Sequence, residues 1–499
     1  MDLFKNKKLI FAIGLFIIVE LFSYLGFIYS LVNQSTFIVL AVLGAILSLY
    51  RLEFGLLMLI SELFISSFGY LFYLDLDGHK LSLRIVLWTI VMFVFAVKFF
   101  YQILFRKQKS PYLEAIKKFK FLKYFLYLLG FIVLAIVNGL LRGHNLNYIF
   151  SDSNAWLYFL LIFLFIVVYA NQDGKASERL KLVFFAAIIF ISLQTLFLLF
   201  VFSHNLSFAP DVYLWLRRNL IGEMTATASG WPRVFLQTQI FSAIGFLILF
   251  WLKGVNLSIK KLFTKNNLGW QFLAGFFLST VLISFSRSFW LALILALIFS
   301  LVYIYFVYSF KDLLKSLLWL FSSLLISFAL VYCIAAFPYP PTGGFKADFI
   351  DRISNGSEAA ISSRWSQLPI LFKEIIKEPF FAQGYGKTIT YLSSDPRVLA
   401  NNPSGEYTTY AFEWAYLDMI LKFGLFGLFI YLLLIYKIIK QLLKLSLFAT
   451  YYSLQFGLFL ALVSLLAVNI FTPYLNHPLG IGFILLANVF TANNEIIKQ

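Results

Sequence analysis

Apolar residues come in long unbroken runs separated by short charged breaks, neither alternating nor confined to one helical face. A helix needs about 20 predominantly apolar residues to cross the hydrocarbon of a bilayer, and the runs approach or exceed that length repeatedly. They predict about fourteen spans, over 9–31, 36–50, 53–74, 81–104, 119–141, 156–170, 180–203, 233–252, 267–286, 288–310, 316–337, 414–436, 446–469 and 478–493. The expected fold class is an all-α polytopic integral membrane protein with about 14 transmembrane helices and one large extracytoplasmic loop that itself contains helices. The pattern divides the chain into N-terminal transmembrane helices (1–203), central ones (204–337) with an outer loop at 204–232, the large loop (338–412), and C-terminal transmembrane helices (413–499). Met1 to Lys8 leads into the first run without a small-residue cleavage site, so that run is expected to remain as a span.

Composition excludes a soluble domain. The 499 residues are 61% hydrophobic and 13% charged, against roughly 45–50% and 25% in globular domains. Fourteen spans leave about 220 residues for loops, too few for a second folded enzyme domain. Any chemistry must come from the bundle and its loops. The net charge of +17 does not indicate nucleic acid, because Lys and Arg punctuate apolar runs instead of gathering on a soluble face. With the N-terminus inside, alternate breaks hold Lys5, Lys7 and Lys8, a cluster from Arg106 to Lys123, and Lys437, Lys440 and Lys444 among about 25 of the 40 basic residues. That bias places both termini in the cytoplasm. The single cysteine, Cys333, and four scattered histidines offer neither a disulfide framework nor a metal cluster, and no cofactor is expected.

The stretch 338–412 differs from the lysine-rich breaks. Lys346, Arg352, Arg364, Lys373, Lys377, Lys387 and Arg397 are balanced by Asp348, Asp351, Glu358, Glu374, Glu378, Asp395 and Glu406. Loops this long carry function or disorder, and the apolar spacing from Ile361 to Ile376 predicts an amphipathic helix within it. There is no internal repeat and no pair of Gly/Pro-interrupted spans of the kind that marks inverted-repeat transporters.

Arginines at outer ends of spans carry the clearest chemical signal. Arg233 follows Trp231-Pro232, Arg287 sits in Ser284-Phe285-Ser286-Arg287-Ser288 between two spans, and Arg364 opens the loop helix. Each can snorkel to lipid headgroups. Together on one face they can instead converge on a diphosphate, for which guanidinium is a matched, permanently charged fork. Arg217 and Arg218 in the outer loop are further candidates for substrate binding. Glu413, between Phe412 and Trp414 where the loop re-enters the membrane, is expected to hold its proton more tightly than usual, as a general base near neutral pH would; the other reading is a carboxylate at a helix start. Asp418 and Lys422, four apart, are expected to form a structural ion pair. Glu20 and Glu62 lie within spans, where they serve either a proton-coupled transporter or a buried hydrogen bond. Gly384-Tyr385-Gly386 reads as a turn, and His477 as a capping, packing or substrate-facing residue.

In order along the chain, Ser286-Arg287-Ser288-Phe289-Trp290, Arg364-Trp365, Glu378-Pro379-Phe380, Gly384-Tyr385-Gly386, Tyr416-Leu417 and Lys422-Phe423-Gly424-Leu425-Phe426-Gly427 resemble the landmarks of the O-antigen ligase and O-antigen polymerase superfamily. The resemblance is firmest over 281–436. It departs where ligases place a His-Asn pair before Tyr-Leu, since this chain has Glu413-Trp414, and it is therefore closer to the polymerase side. It implies a membrane glycosyltransferase that takes glycan from undecaprenyl diphosphate or a similar polyprenyl diphosphate at the outer face of the bacterial cytoplasmic (inner) membrane. The product would be O-antigen, capsule or exopolysaccharide.

On this reading Arg233, Arg287 and Arg364 stabilise the leaving diphosphate without a metal, and Glu413 takes the acceptor proton with inversion. Trp365, Tyr385 and Trp414 stack on sugars. Implied partners are the lipid-linked oligosaccharide, membrane lipids, and flippase and chain-length regulator proteins, with no nucleic acid. The alternatives are ligase-type transfer to a lipid or protein, a secondary transporter or lipid-linked glycan flippase, and a peptidoglycan glycosyltransferase, which predicts fewer spans.

Overall fold

The computed structural model describes residues 6–105, 110–169, 174–227, 230–255, 264–338, 359–448 and 454–496. The first half contains helices α1 (Lys7–Ile28), α2 (Ser30–Tyr50), α3 (Leu52–Ile65), α4 (Leu83–Phe105), α5 (Pro111–Lys118), α6 (Leu122–Leu141), α7 (Leu146–Ser153), α8 (Leu161–Tyr169), α9 (Lys175–Ser203) and α10 (Ala209–Arg218). A 3-10 segment, Asn154–Leu160, joins α7 to α8. The second half contains α11 (Ile240–Leu249), α12 (Lys265–Ile283), α13 (Arg287–Val307), α14 (Phe310–Ala336), α15 (Ala359–Lys377), α16 (Pro396–Asn401), α17 (Ala415–Phe448), α18 (Leu454–Val468) and α19 (Pro478–Ile496). The described residues also form three small antiparallel hairpins: β1 (Tyr73–Leu76) with β2 (His79–Ser82), β3 (Gly222–Ala226) with β4 (Pro232–Leu236), and β5 (Ile389–Leu392) with β6 (Glu406–Thr409). The chain is thus a mostly helical membrane protein with a little strand.

Each expected apolar segment contains helix, but a count of fourteen spans is not what helix length supports. Among the described residues nine helices are long and apolar enough to cross a membrane, with Leu146–Tyr169 counted as one. Three more, Asn267–Ile283, Leu454–Val468 and Pro478–Phe490, are apolar but shorter. The segments 53–74 and 233–252 depart most. Helix α3 stops at Ile65 and the chain turns into a hairpin whose two-residue loop, Asp77-Gly78, has positive φ at both positions, 51° and 85°. That is the geometry an Asp-Gly pair favours. Segment 233–252 begins as strand β4, and α11 ends in a π turn, Phe250–Gly254. The stretch 204–232, expected as an outer loop, contains α10 and β3, and its last residue opens β4.

The spans form two classes. In α2 17% of the apolar window is buried, and residues such as Leu31, Val39 and Leu49 face outward. In α9 67% is buried, packed among α1, α3, α11, α12 and α14. Outward Leu, Ile and Val suit acyl chains, whereas inward helices are held by close packing. Aromatic rings fill the interior: Trp251 stacks on Phe456 at 3.7 Å, and Trp319 packs against Phe246 and Phe250.

The large loop docks through backbone. Helix α15 is the expected amphipathic helix: Leu371 and Ile375 join Ile389, Phe412 and Leu421 in a small core, while Trp365, Phe372 and Ile376 are exposed. Residues 339–358, which include Lys346, Asp348, Asp351, Arg352 and Glu358, lie outside the described residues. After α15 the chain crosses α6 and α17. Tyr385 N donates to Ala135 O at 3.0 Å, Gln383 N to Leu421 O at 3.0 Å, and Leu425 N to Pro379 O at 2.8 Å. Gly424, at φ 80° within α17, breaks that helix, and a Cβ there would collide with Phe380 O. Gly384, at φ 86°, lies against the backbone of Gly139. The Gly384-Tyr385-Gly386 turn is therefore a close backbone crossing that any side chain would push apart.

Candidate active site

The turn 469–477, between α18 and α19, is where the loop, the hairpin between α12 and α13, and α17 meet. Ser288 Oγ bonds Thr472 Oγ1 at 3.0 Å, Trp414 packs on Phe471 at 5.5 Å, and Asn476 Nδ2 donates to Asp418 Oδ2 at 3.0 Å. Tyr431 reaches in from α17 to Leu475 O, and Tyr474 donates to Gln237 O, both at 2.7 Å.

On one side of this turn is a cavity of about 390 Å³, lined by residues that include Arg84, Asp152, Tyr385, Asp418, Lys422 and His477. Its charged wall has Lys422 Nζ 2.6 Å from Asp152 Oδ1 and 2.7 Å from Asp418 Oδ1, all three side chains 5% exposed. Gly386 N donates to Asp152 Oδ2 at 2.8 Å, so the docked loop holds this wall in place. The expected Asp418–Lys422 pair is present, with Asp152 as a second carboxylate that spacing along one helix did not indicate. Burial, and after it the carboxylates of Asp152 and Asp418, push the Tyr385 hydroxyl well above its usual range, so it stays protonated. Burial and the Arg84 charge push His477 down to about 3, leaving it neutral at physiological pH.

Arg84 carries a structural load as well. Its Nε donates to Glu62 Oε2 at 2.8 Å, Nη1 to Ser67 O at 2.9 Å, and Nη2 to Ser66 O. These carbonyls belong to the chain just beyond α3, so one buried guanidinium satisfies irregular backbone where lipid could not. Glu20 accepts from Gln194. Both carboxylates read as intramembrane groups therefore have fixed partners.

The arginines chosen from sequence lie elsewhere. Arg233, paired across the hairpin with Thr225, donates from Nε to Ser284 O at 2.9 Å, next to the turn that leads into Arg287 at the start of α13. The two arginines are thus neighbours, a shelf near where Ser288 meets Thr472, and neither lines the cavity. Arg364 instead forms an ion pair with Glu413, and its carbonyl accepts from Trp414 Nε1 at 2.9 Å. Glu413 was expected in an apolar setting; its side chain is 49% exposed and held by a guanidinium. Trp365 meets Trp414 edge-on at 5.6 Å, and Tyr385 lines the cavity. Arg217 pairs with Glu223 at 2.9 Å, and Arg218 lies 5.6 Å from the Phe27 ring; both stand at the end of α10, near the opposite end of the β3–β4 hairpin from Arg233.

Among the described residues no group of three or more His, Cys, Asp or Glu side chains could hold a metal ion. The sequence reading missed Arg84 and Asp152. Each is a charge beside an apolar run, the signal that singled out Glu62, but their partners are distant in sequence. No curated protein and no solved structure matches the chain. Residues 272–432 match the family model described as O-antigen ligase. The matched stretch includes Arg287, Arg364, Tyr385, Glu413, Asp418 and Lys422, so about a third of this multi-pass membrane protein is similar to the O-antigen ligase family of glycosyltransferase-like enzymes.

Proposed function

We propose that the protein is a polysaccharide polymerase that moves a glycan from a polyprenyl diphosphate to a sugar hydroxyl at the outer face of a bacterial cytoplasmic membrane. The observation that carries this reading is the meeting of the matched landmarks at one turn: Ser288, next to Arg287, on Thr472, and Trp414, next to Glu413, on Phe471. The acceptor oxygen attacks the anomeric carbon as the bond to the diphosphate oxygen breaks, and the leaving group departs with the electron pair. Arg233 and Arg287 stabilise its growing charge, the largest contribution that fixed donors make to such a step. Glu413, oriented by Arg364, accepts the acceptor's proton, and attack opposite the leaving group inverts the anomeric centre. Flippase and chain-length regulator proteins would work beside it.

The family match favours ligase-type transfer to a lipid or protein equally. A proton-coupled transporter is disfavoured, because Glu62 and Glu20 are tied to Arg84 and Gln194. The test is a mass spectrum of purified lipid-linked repeat units before and after incubation with the full chain in nanodiscs. Lengthened glycan supports polymerisation, and transfer to a supplied lipid acceptor supports the ligase form. Unchanged donor in both assays overturns the reading.

A further inference from the structure

The cavity beside turn 469–477 carries chemistry that the diphosphate site does not need. Its two cations are already neutralised: Lys422 lies between Asp152 and Asp418, and Arg84 is spent on Glu62 and two carbonyls. Counting Glu62 behind Arg84, the wall sums to one negative charge, which repels a diphosphate and leaves a neutral polyol unaffected. Aromatic faces line the rest, among them Phe68, Tyr70, Trp156, Tyr410 and Phe412. Tyr410 is braced by stacking on Tyr148 at 4.7 Å.

Three polar atoms at the cavity are buried without a hydrogen-bond partner: the hydroxyls of Tyr158 and Tyr385, and Asn476 Oδ1. Tyr158 is 4% and Tyr385 1% exposed. A buried polar group left unpaired costs about 1–3 kcal/mol, so such groups point to something that completes them. Two hydroxyls that donate and accept, an amide oxygen that accepts, carboxylates that accept and ring faces that stack together suit a pyranose, with its alternating hydroxyls and C–H faces. The volume sits at the low end of the roughly 300–1,000 Å³ of small-molecule sites, room for one or two sugar rings.

We propose that this cavity is a sugar subsite, which holds a terminal ring of the glycan through Asp152, Asp418, Asn476, Tyr158 and Tyr385 while the diphosphate lies apart on the Arg233–Arg287 shelf. The proposal deepens the reading of the protein as a glycan transferase and rests on it for the identity of the sugar.

The test separates the two halves of the substrate. The full chain in nanodiscs is titrated with two probes: free oligosaccharide released by mild acid from the producing strain's lipid-linked repeat unit, and undecaprenyl diphosphate without sugar. Asp418→Asn and Tyr410→Ala are each expected to weaken oligosaccharide binding about tenfold, the loss of one charge-assisted hydrogen bond or one stacked ring, and to leave undecaprenyl diphosphate within about twofold. Arg287→Ala is expected to do the reverse. If Asp418→Asn loses its cooperative thermal transition, Tyr410→Ala and Asn476→Ala decide. Wild-type protein that does not bind the oligosaccharide, variants that bind it normally, or equal weakening of both probes overturns the proposal. Oligosaccharide binding without any glycan transfer by the wild type would sink the transferase reading and leave the subsite standing.

Discussion

The arginine shelf and the cavity both adjoin turn 469–477 and bury their cations to different depths. Arg233 donates to a neutral carbonyl, Ser284 O, among its contacts, and Arg287 begins α13, both half-buried. Lys422 is 5% exposed and anchored by two carboxylates, and Arg84 by a carboxylate and two carbonyls. A half-buried cation can still present its charge to an arriving anion. A bond to a buried carboxylate cancels it and makes each partner costly to remove. The first arrangement suits catalysis on an anion, and the second suits architecture and recognition of a neutral ligand.

The largest effect expected from breaking this contrast is on the cavity side. Lys422→Met would leave Asp152 and Asp418 facing each other in a buried site, at a cost of about 3–5 kcal/mol. The midpoint of thermal unfolding should fall by several degrees or the protein should fail to accumulate, whereas Arg287→Met should leave the midpoint near wild type. Equal midpoints in the two variants would end the distinction. Next in size is activity: Arg287→Ala should lower transfer about 10²–10³-fold, the loss typical for one charge-stabilising donor, in protein that unfolds at the wild-type temperature.

Gly424→Ala tests the docking that joins the two regions. A side chain at φ 80° against Phe380 O should cost about 1–3 kcal/mol and loosen the loop from α17. Limited proteolysis should then cut within 359–412 faster than in wild type, and an unchanged rate would mean that the loop is held elsewhere. The smallest effect concerns pH. His477 has a folded pKa of about 3, below its unfolded value near 6.5, so below pH 6.5 the unfolded chain takes up a proton that the folded chain refuses. Its contribution to stability is complete above pH 6.5 and declines as pH falls toward 3. His477→Gln should therefore flatten the fall in unfolding midpoint between pH 6.5 and 4.5.

Much of the bundle is legible because a lipid solvent makes run length and helix nearly equivalent: α1, α4, α13 and α14 lie close to their expected segments. The failures have local causes. The end of α3 at Ile65 is not marked by loss of hydrophobicity, since Phe68, Leu71 and Phe72 follow it; the Asp77-Gly78 turn was the available sign. The amphipathic helix over 361–376 was readable from its period, and the Asp418–Lys422 pair from its spacing. Glu413 was readable as a loop-end carboxylate, but its partner Arg364 lies 49 residues away and no periodicity links them.

The sequence by itself determined that the chain is a membrane bundle, where most of its helices lie, and that arginines gather at the ends of spans and in the large loop, because these follow from transfer of side chains to lipid, a property of each segment alone. Only the tertiary structure decided which charges neutralise one another and which surround a cavity. Asp152 meets Lys422 across 270 residues, and Arg84 closes the backbone beyond α3, because a buried charge is tolerable only beside its complement. Which complement it finds is set by the docking of the loop onto α6 and α17, through contacts too far apart in sequence for any segment to specify.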